Sequence, residues 1–255
     1  MRAARWMLLF ALALMLAAPI CGLAQARGSA SVPDITGSWE RYGRGGARGQ
    51  PASTLPPPAP QAALKPQYLK ELQAKQQAAR EADAKGHPLA TNATLCLPEG
   101  MPGMMGATFP MEILQSRGQV TVIEEAFTQV RRIFLDQPQK ALDDIEPGFY
   151  GHSVGRWEGD TLVVDTLGVK EDVRYQNVPH SPGMRVKERI HLVAPDILWN
   201  EITIDDPVTL EKPWTYTVAY RRMPDYKLLE YICEDNREFA DANGVQQIRI
   251  GPAAR

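Results

Sequence analysis

The chain has four histidines, and two of them sit where a proton could be moved. His152 stands beside Tyr150 and Gly151 at the entrance to a short alternating segment. His180 lies in a Pro179–Gly183 turn. Imidazole titrates near neutral pH, and loop residues on a rigid sheet often carry function. A solvated loop residue is the plain alternative for both. His87 follows Gly86 and reads as a surface residue. His191 alternates with Arg185, Lys187 and Arg189, so it reads as solvent-facing. Glu188 shares a face with Met184, Val186, Ile190 and Leu192, and alternation turns its carboxylate inward. An inward carboxylate needs a partner or a raised pKa. It is then an acid, a base or a ligand anchor, or else half of an ion pair with an inward arginine such as Arg132, between Val130 and Phe134. Glu230 lies on the face of Leu228 and Ile232. Leu229 and Tyr231 opposite are also apolar, so its direction stays open.

Trp214, Tyr216, Val218 and Tyr220 fall on one face of a later segment, and Trp157 follows Ser153 and Gly155 on another. Aromatics at period two usually fill a core, but inside a barrel of about eight strands they can also line a pocket. Gly151-His152-Ser153-Val154-Gly155 has Gly-x-Ser-x-Gly spacing. A strand follows where a nucleophile elbow requires a helix, so Ser153 reads as a strand-edge residue. Met101, Met104, Met105 and Met111 cluster near Cys96, downstream of His87, a set that could suit Cu(I) but equally fills a core. CxxC, HxH and HExxH are missing, as are GxGxxG and the P-loop. No metal or cofactor is expected.

These residues need a scaffold, and the hydrophobic pattern supplies one. From Met111 onward the period is two, in segments 112–115, 119–126, 129–135, 153–158, 161–166, 185–193, 197–204, 214–221 and 227–233. Turn signals such as Arg117-Gly118, Gly159-Asp160 and Pro195-Asp196 separate them. The spacing predicts a mainly β fold, an antiparallel barrel or sandwich, with one N-terminal surface helix. Residues 27–42 form a lead-in with a first strand near Trp39. Residues 43–65 are Gly- and Pro-rich and read as a flexible segment. The helix spans 66–86, opened by Pro66 and ended by Gly86. Its apolar stripe of Tyr68, Leu72, Ala79 and Ala82 is thin. The β domain occupies 87–240, and 241–255 is a tail.

Residues 1–26 read as an export signal: Arg2 and Arg5, then the apolar run Trp6–Ile20, then Ala24-Gln25-Ala26. The run is about 15 residues, short of the ~20 that span a bilayer. Cleavage predicts a periplasmic or secreted protein with no stable membrane span. It also leaves Cys96 and Cys233, a candidate disulfide in an oxidising compartment; two separate buried thiols are the alternative. The net charge is -2, from 28 basic and 30 acidic residues, which gives no field to gather nucleic acid.

The stretch Gly151-His152-Ser153-Val154-Gly155-Arg156-Trp157-Glu158-Gly159-Asp160-Thr161-Leu162-Val163-Val164-Asp165-Thr166 resembles a family of exported bacterial β-rich proteins. Cys96-Leu97-Pro98 with Gly100-Met101-Pro102, Arg131-Arg132-Ile133, and Leu229 to Asn236 are similar to the same family, so the resemblance covers about residues 90–240. It implies a compartment and no catalytic residue. Gly37-Ser38-Trp39 is similar to the Gly-x-Trp of lipocalins, which implies a small barrel for an apolar ligand.

Three functions fit this reading. One is a binder of a small apolar or amphipathic molecule, with Trp157, Trp214, Tyr216 and Tyr220 as apolar contacts and Glu188, Arg132, His152 and Glu230 as polar ones. Another is a cofactor-free acid–base enzyme using His152 or His180 with Glu188. The third is an envelope interaction protein that docks through 51–60.

Overall fold

The computed structural model describes residues 32–43, 52–106, 108–233, 238–240 and 246–248. The expected leader and most of the expected tail lie outside them. Nine strands close a barrel in sequence order: β1 (Gly37–Tyr42), β2 (Met111–Ser116), β3 (Gln119–Glu124), β4 (Gln129–Leu135), β5 (His152–Glu158), β6 (Thr161–Leu167), β7 (Arg185–Ala194), β8 (Ile197–Asp205) and β9 (Trp214–Arg222). β10 (Glu238–Ala240) and β11 (Gln246–Ile248) pair antiparallel as a separate two-stranded sheet. The α-helix, α1 (Pro66–Ala84), buries none of its residues; Tyr68 and Leu72 rest half-buried on the barrel.

The expected mainly β barrel forms, with a single surface α-helix among the described residues, and with two corrections. The pairing is mixed, because β4 and β5 run parallel, with Ile133 opposite Ser153. A parallel pair needs a crossover rather than a hairpin, and residues 136–151 supply it. This pair and the ninth strand set the barrel apart from an eight-stranded up-and-down lipocalin barrel. The second correction concerns 227–233, which is no strand. Leu229 and Ile232 are exposed there. Glu125 holds the segment instead, accepting from the Tyr226 hydroxyl at 2.6 Å and the Leu229 amide at 2.8 Å. Tyr231 packs between Phe109 and Phe127. Cys233 is bonded to Cys96, with Cα atoms 5.6 Å apart.

The strand directions sort the connections by length. The turns 117–118, 159–160 and 195–196 lie at one end. The other end, here the mouth, holds the C-terminal end of β1 and the N-terminal end of β2, receives the connections 125–128, 168–184 and 206–213, and takes in the 136–151 crossover. Part of 43–65 is held in place. The Trp214 indole donates to Pro60 O at 2.8 Å, the Trp199 indole to Thr54 O at 3.0 Å, and Leu64 bridges to Leu210. Leu55 covers a small outer cluster of Tyr42, Ile197 and Ala219.

The interior is filled. Residues Gly100–Gly106 turn down into the mouth as a plug, every one of them buried. Met101, Met104 and Met105 join the same cluster as Trp39, Val122, Ile202 and Tyr220. Flexible thioether side chains fill an irregular gap of this kind well. The plug's polar backbone is met as well: Tyr220 donates its hydroxyl to Met105 O, Arg41 donates to Gly106 O at 2.6 Å, and Met101 N donates to Phe149 O at 2.8 Å.

Candidate functional site

Glu188 points into the barrel and is 0% exposed. Its partner is Arg131, not Arg132. Arg132 is exposed on the outer face of β4, opposite Thr121. The β4 pattern is ambiguous because both faces carry apolar residues. Pairing with β3 decides it: Val120 and Val122 face the core and set Ile133 and Arg131 inward beside them. Val130 and Phe134 are left half-buried outside, Phe134 stacked on His152. The Arg131 guanidinium forks onto both Glu188 oxygens, one of them at 3.0 Å, and also donates to Ser153 Oγ at 3.2 Å and Thr166 Oγ1 at 3.1 Å. Asn200 Nδ2 donates to Glu188 Oε1 at 2.8 Å. This buried network is charge-balanced and bidentate, and the plug sits above it.

The histidines do not join it. On β5, Ser153 faces in, so His152 faces out. Its Nδ1 pairs with Gln139 Oε1 at 2.8 Å, and burial followed by nearby Lys140 holds its pKa below the usual value. His180 is buried in the 168–184 connection with both ring nitrogens against carbonyl oxygens, Nδ1 to Ser181 O at 3.0 Å and Nε2 to Val173 O at 2.8 Å. It is a cross-link within the loop. Beside it, Asp206 accepts from Ser181 N at 2.6 Å, Ser181 Oγ at 2.9 Å and Val208 N at 3.0 Å. Burial pushes the Asp206 pKa up, but these donors outweigh it and the net shift is downward.

The aromatics expected to act together are spread out. Trp157 packs half-buried near the end opposite the mouth. Tyr220 is deep and occupied by the plug, and burial pushes its hydroxyl pKa far up. Glu230 is exposed and off the sheet. Trp214 and Tyr216 are at the mouth, where Tyr175 stacks on them at 5.8 and 5.4 Å between ring centres. Tyr175 comes from a short 3-10 turn, Tyr175–Asn177, in a connection with no periodic signal. It lines a small, partly open cleft with Val173, Val178, Met184, Leu210 and Trp214, and His180 and Thr209 line it too.

Alternation on β3 carries a second inward carboxylate that the sequence reading missed. Glu124 ends the Val120, Val122, Glu124 series and is 1% exposed. Gln129 Nε2 donates to its Oε2 at 2.6 Å, while Gln129 Oε1 accepts from Gly100 N at 3.1 Å. Burial, then the negative charge of Glu99, pushes Glu124 up to about 9. The periodicity that marks Glu188 is present here too, but a strand's last residue has apolar neighbours on one side only. The four methionines are core residues and Cys96 is engaged in the disulfide, so neither offers copper a ligand. Among the described residues no group of three or more His, Cys, Asp and Glu side chains gathers around a common point. No helix there is long and apolar enough to cross a membrane. Comparison with protein-family models and with curated proteins finds no match for this chain.

Proposed function

We propose that this is an exported protein that binds a small, flat, largely apolar molecule at the mouth of its barrel. The observation that carries the reading is the Tyr175–Trp214–Tyr216 stack beside the cleft, walled by Val173, Val178, Met184 and Leu210. Aromatic rings in a concave apolar site favour planar ligands. The Trp214 indole N–H is already taken by Pro60, so its contribution is apolar contact. The ligand sits at the rim rather than in the lumen, because the plug fills the lumen. The motif of residues 151–166 and the Cys96–Cys233 disulfide support an extracytoplasmic setting. Acid–base catalysis has less support, since His152, His180 and Glu188 occupy three separate environments.

The test is native mass spectrometry of residues 27–255 made in an oxidising host, with organic extraction of bound material. It is followed by titration with the aromatic dye 1-anilinonaphthalene-8-sulfonate. The expected result is a co-purifying aromatic or polyene molecule, or one-to-one dye binding that Trp214→Ala weakens at least tenfold. Clean protein whose dye binding is indifferent to both Trp214→Ala and Tyr175→Ala would sink the reading.

A further inference from the structure

We infer that the molecule held at the mouth carries a neutral hydroxyl or N–H and donates it to Thr209 Oγ1. The inference rests on the binding reading above and names the polar group that the cleft selects. Of the buried side-chain oxygens and nitrogens without a hydrogen-bond partner among the described residues, Thr209 Oγ1 is the one whose residue lines the cleft. Thr209 is 1% exposed. Its backbone is pinned on both sides: Lys65 N donates to Thr209 O at 2.9 Å, and Thr209 N donates to Asp206 O at 3.2 Å. The next residue, Leu210, is bridged to Leu64, and its amide donates to Asp206 O at 2.8 Å. The hydroxyl is thus carried on a fixed frame, in a cleft that also presents Tyr175 and Trp214.

The ring nitrogens of the cleft are already spent. The Trp214 indole N–H goes to Pro60 O, and the two ring nitrogens of His180 face Ser181 O and Val173 O. The Tyr175 hydroxyl lies against Gly106 of the plug, which leaves its ring for stacking. Among the described residues no Asp, Glu, Lys or Arg lines the cleft. A charged group would lose hydration there without meeting a counter-charge, so a neutral one is selected. Asp206 decides which partner donates. Its Oδ1 is 3.4 Å from Thr209 N, and the Thr209 hydroxyl is near enough to help lower its pKa without completing a hydrogen bond. An anion on that side draws the hydroxyl hydrogen toward itself and leaves the oxygen lone pairs to accept. Asp206 has no freedom to close the gap, because Ser181 N, Ser181 Oγ and Val208 N already hold its two oxygens. A buried hydroxyl short of a partner costs free energy that a ligand donor restores. An ether or a bare ring restores nothing and leaves Thr209 unmet.

The experiment uses the same disulfide-bonded protein near neutral pH, where a phenol keeps its proton. Equilibrium dialysis, read by naphthalene fluorescence, compares 2-naphthol, 2-methoxynaphthalene and naphthalene. 2-Naphthol is expected to bind at least about fivefold more tightly than either of the others, the worth of one hydrogen bond. Thr209→Val should abolish that preference, and Thr209→Ser, which keeps the hydroxyl, should retain it. Equal binding of 2-naphthol and 2-methoxynaphthalene by the wild type overturns the inference, whether or not Thr209→Val folds. A preference that survives unchanged in Thr209→Val overturns it too. In both cases binding that Trp214→Ala weakens leaves the mouth site standing. If none of the three probes binds, the planar aromatic site itself is refuted, and this inference falls with it.

Discussion

Arg131 and Glu188 show how much depends on one residue of register. Inside the barrel the two charges satisfy each other, with Ser153, Thr166 and Asn200 completing the set. Removing one partner leaves the other buried and unpaired. Glu188→Leu or Arg131→Met should therefore cost about 3–5 kcal/mol by urea denaturation, and the double variant should recover much of that loss. Arg132→Ala, on the outer face, should stay within ~0.5 kcal/mol. A large loss at Arg132 with none at Arg131 would mean that β4 faces the other way. Glu124 makes a different prediction. Its folded pKa of about 9 lies above the unfolded value. Its contribution is fully present below pH ~4.5 and is lost as pH rises toward 9. The wild type should lose stability over that window relative to Glu124→Gln. The difference should be on the order of a few kcal/mol, since a tenfold change in proton affinity is worth about 1.4 kcal/mol. Parallel pH–stability curves for the two proteins would contradict the assignment.

At the scale of elements, the barrel is shaped by what approaches what. Gly155 on β5 faces in, and a Cβ there would come within 2.8 Å of the Ile133 side chain on the parallel neighbour β4. The β4–β5 pairing depends on that missing side chain. Gly155→Ala should destabilise by about 1–3 kcal/mol through overpacking, readable as a lower denaturation midpoint at unchanged m-value. The plug has a similar requirement. A Cβ on Gly106 would meet the Tyr175 hydroxyl at 3.1 Å, so Gly106→Val should displace the ring that builds the cleft. The expected outcome is weaker dye binding without loss of the far-ultraviolet strand signature. Unchanged affinity would mean that Tyr175 moves freely and does not define the site.

For the whole molecule, the disulfide ties together two segments that lie outside the sheet. Residues 227–233 bury little apolar surface, and Cys96 stands just ahead of the plug. The sequence separation of the pair is 137 residues, for which the chain-entropy model gives about 4–5 kcal/mol. Reduction, or the Cys96→Ser/Cys233→Ser double variant, should lower stability by about 2–5 kcal/mol. It should also speed hydrogen exchange in 91–106 and 226–233 before the strands. Global exchange with no early phase in those segments would show that the bridge acts only by restricting the unfolded chain.

The strands, the single helix, the inward Glu188, the inward Trp214–Tyr216–Tyr220 face and the Cys96–Cys233 pair were all legible from residue pattern. Each depends on local periodicity or on residue type. Period two places Glu188 among apolar neighbours whichever strand lies beside it, and Cys96 and Cys233 are the two cysteines that lie outside the expected leader. What only the tertiary structure decided depends on partners distant in sequence. β4 carries apolar residues on both faces, so β3 had to choose Arg131 over Arg132. The parallel β4–β5 pair follows from how the 136–151 crossover returns to the mouth, and no dipeptide marks it. Residues 227–233 alternate like a strand but have no free edge to join once β9 closes on β1. Nothing in Gly100–Gly106 distinguishes a plug from a surface loop. Its burial is set by the space left among nine strands, and that space exists only after the barrel has closed.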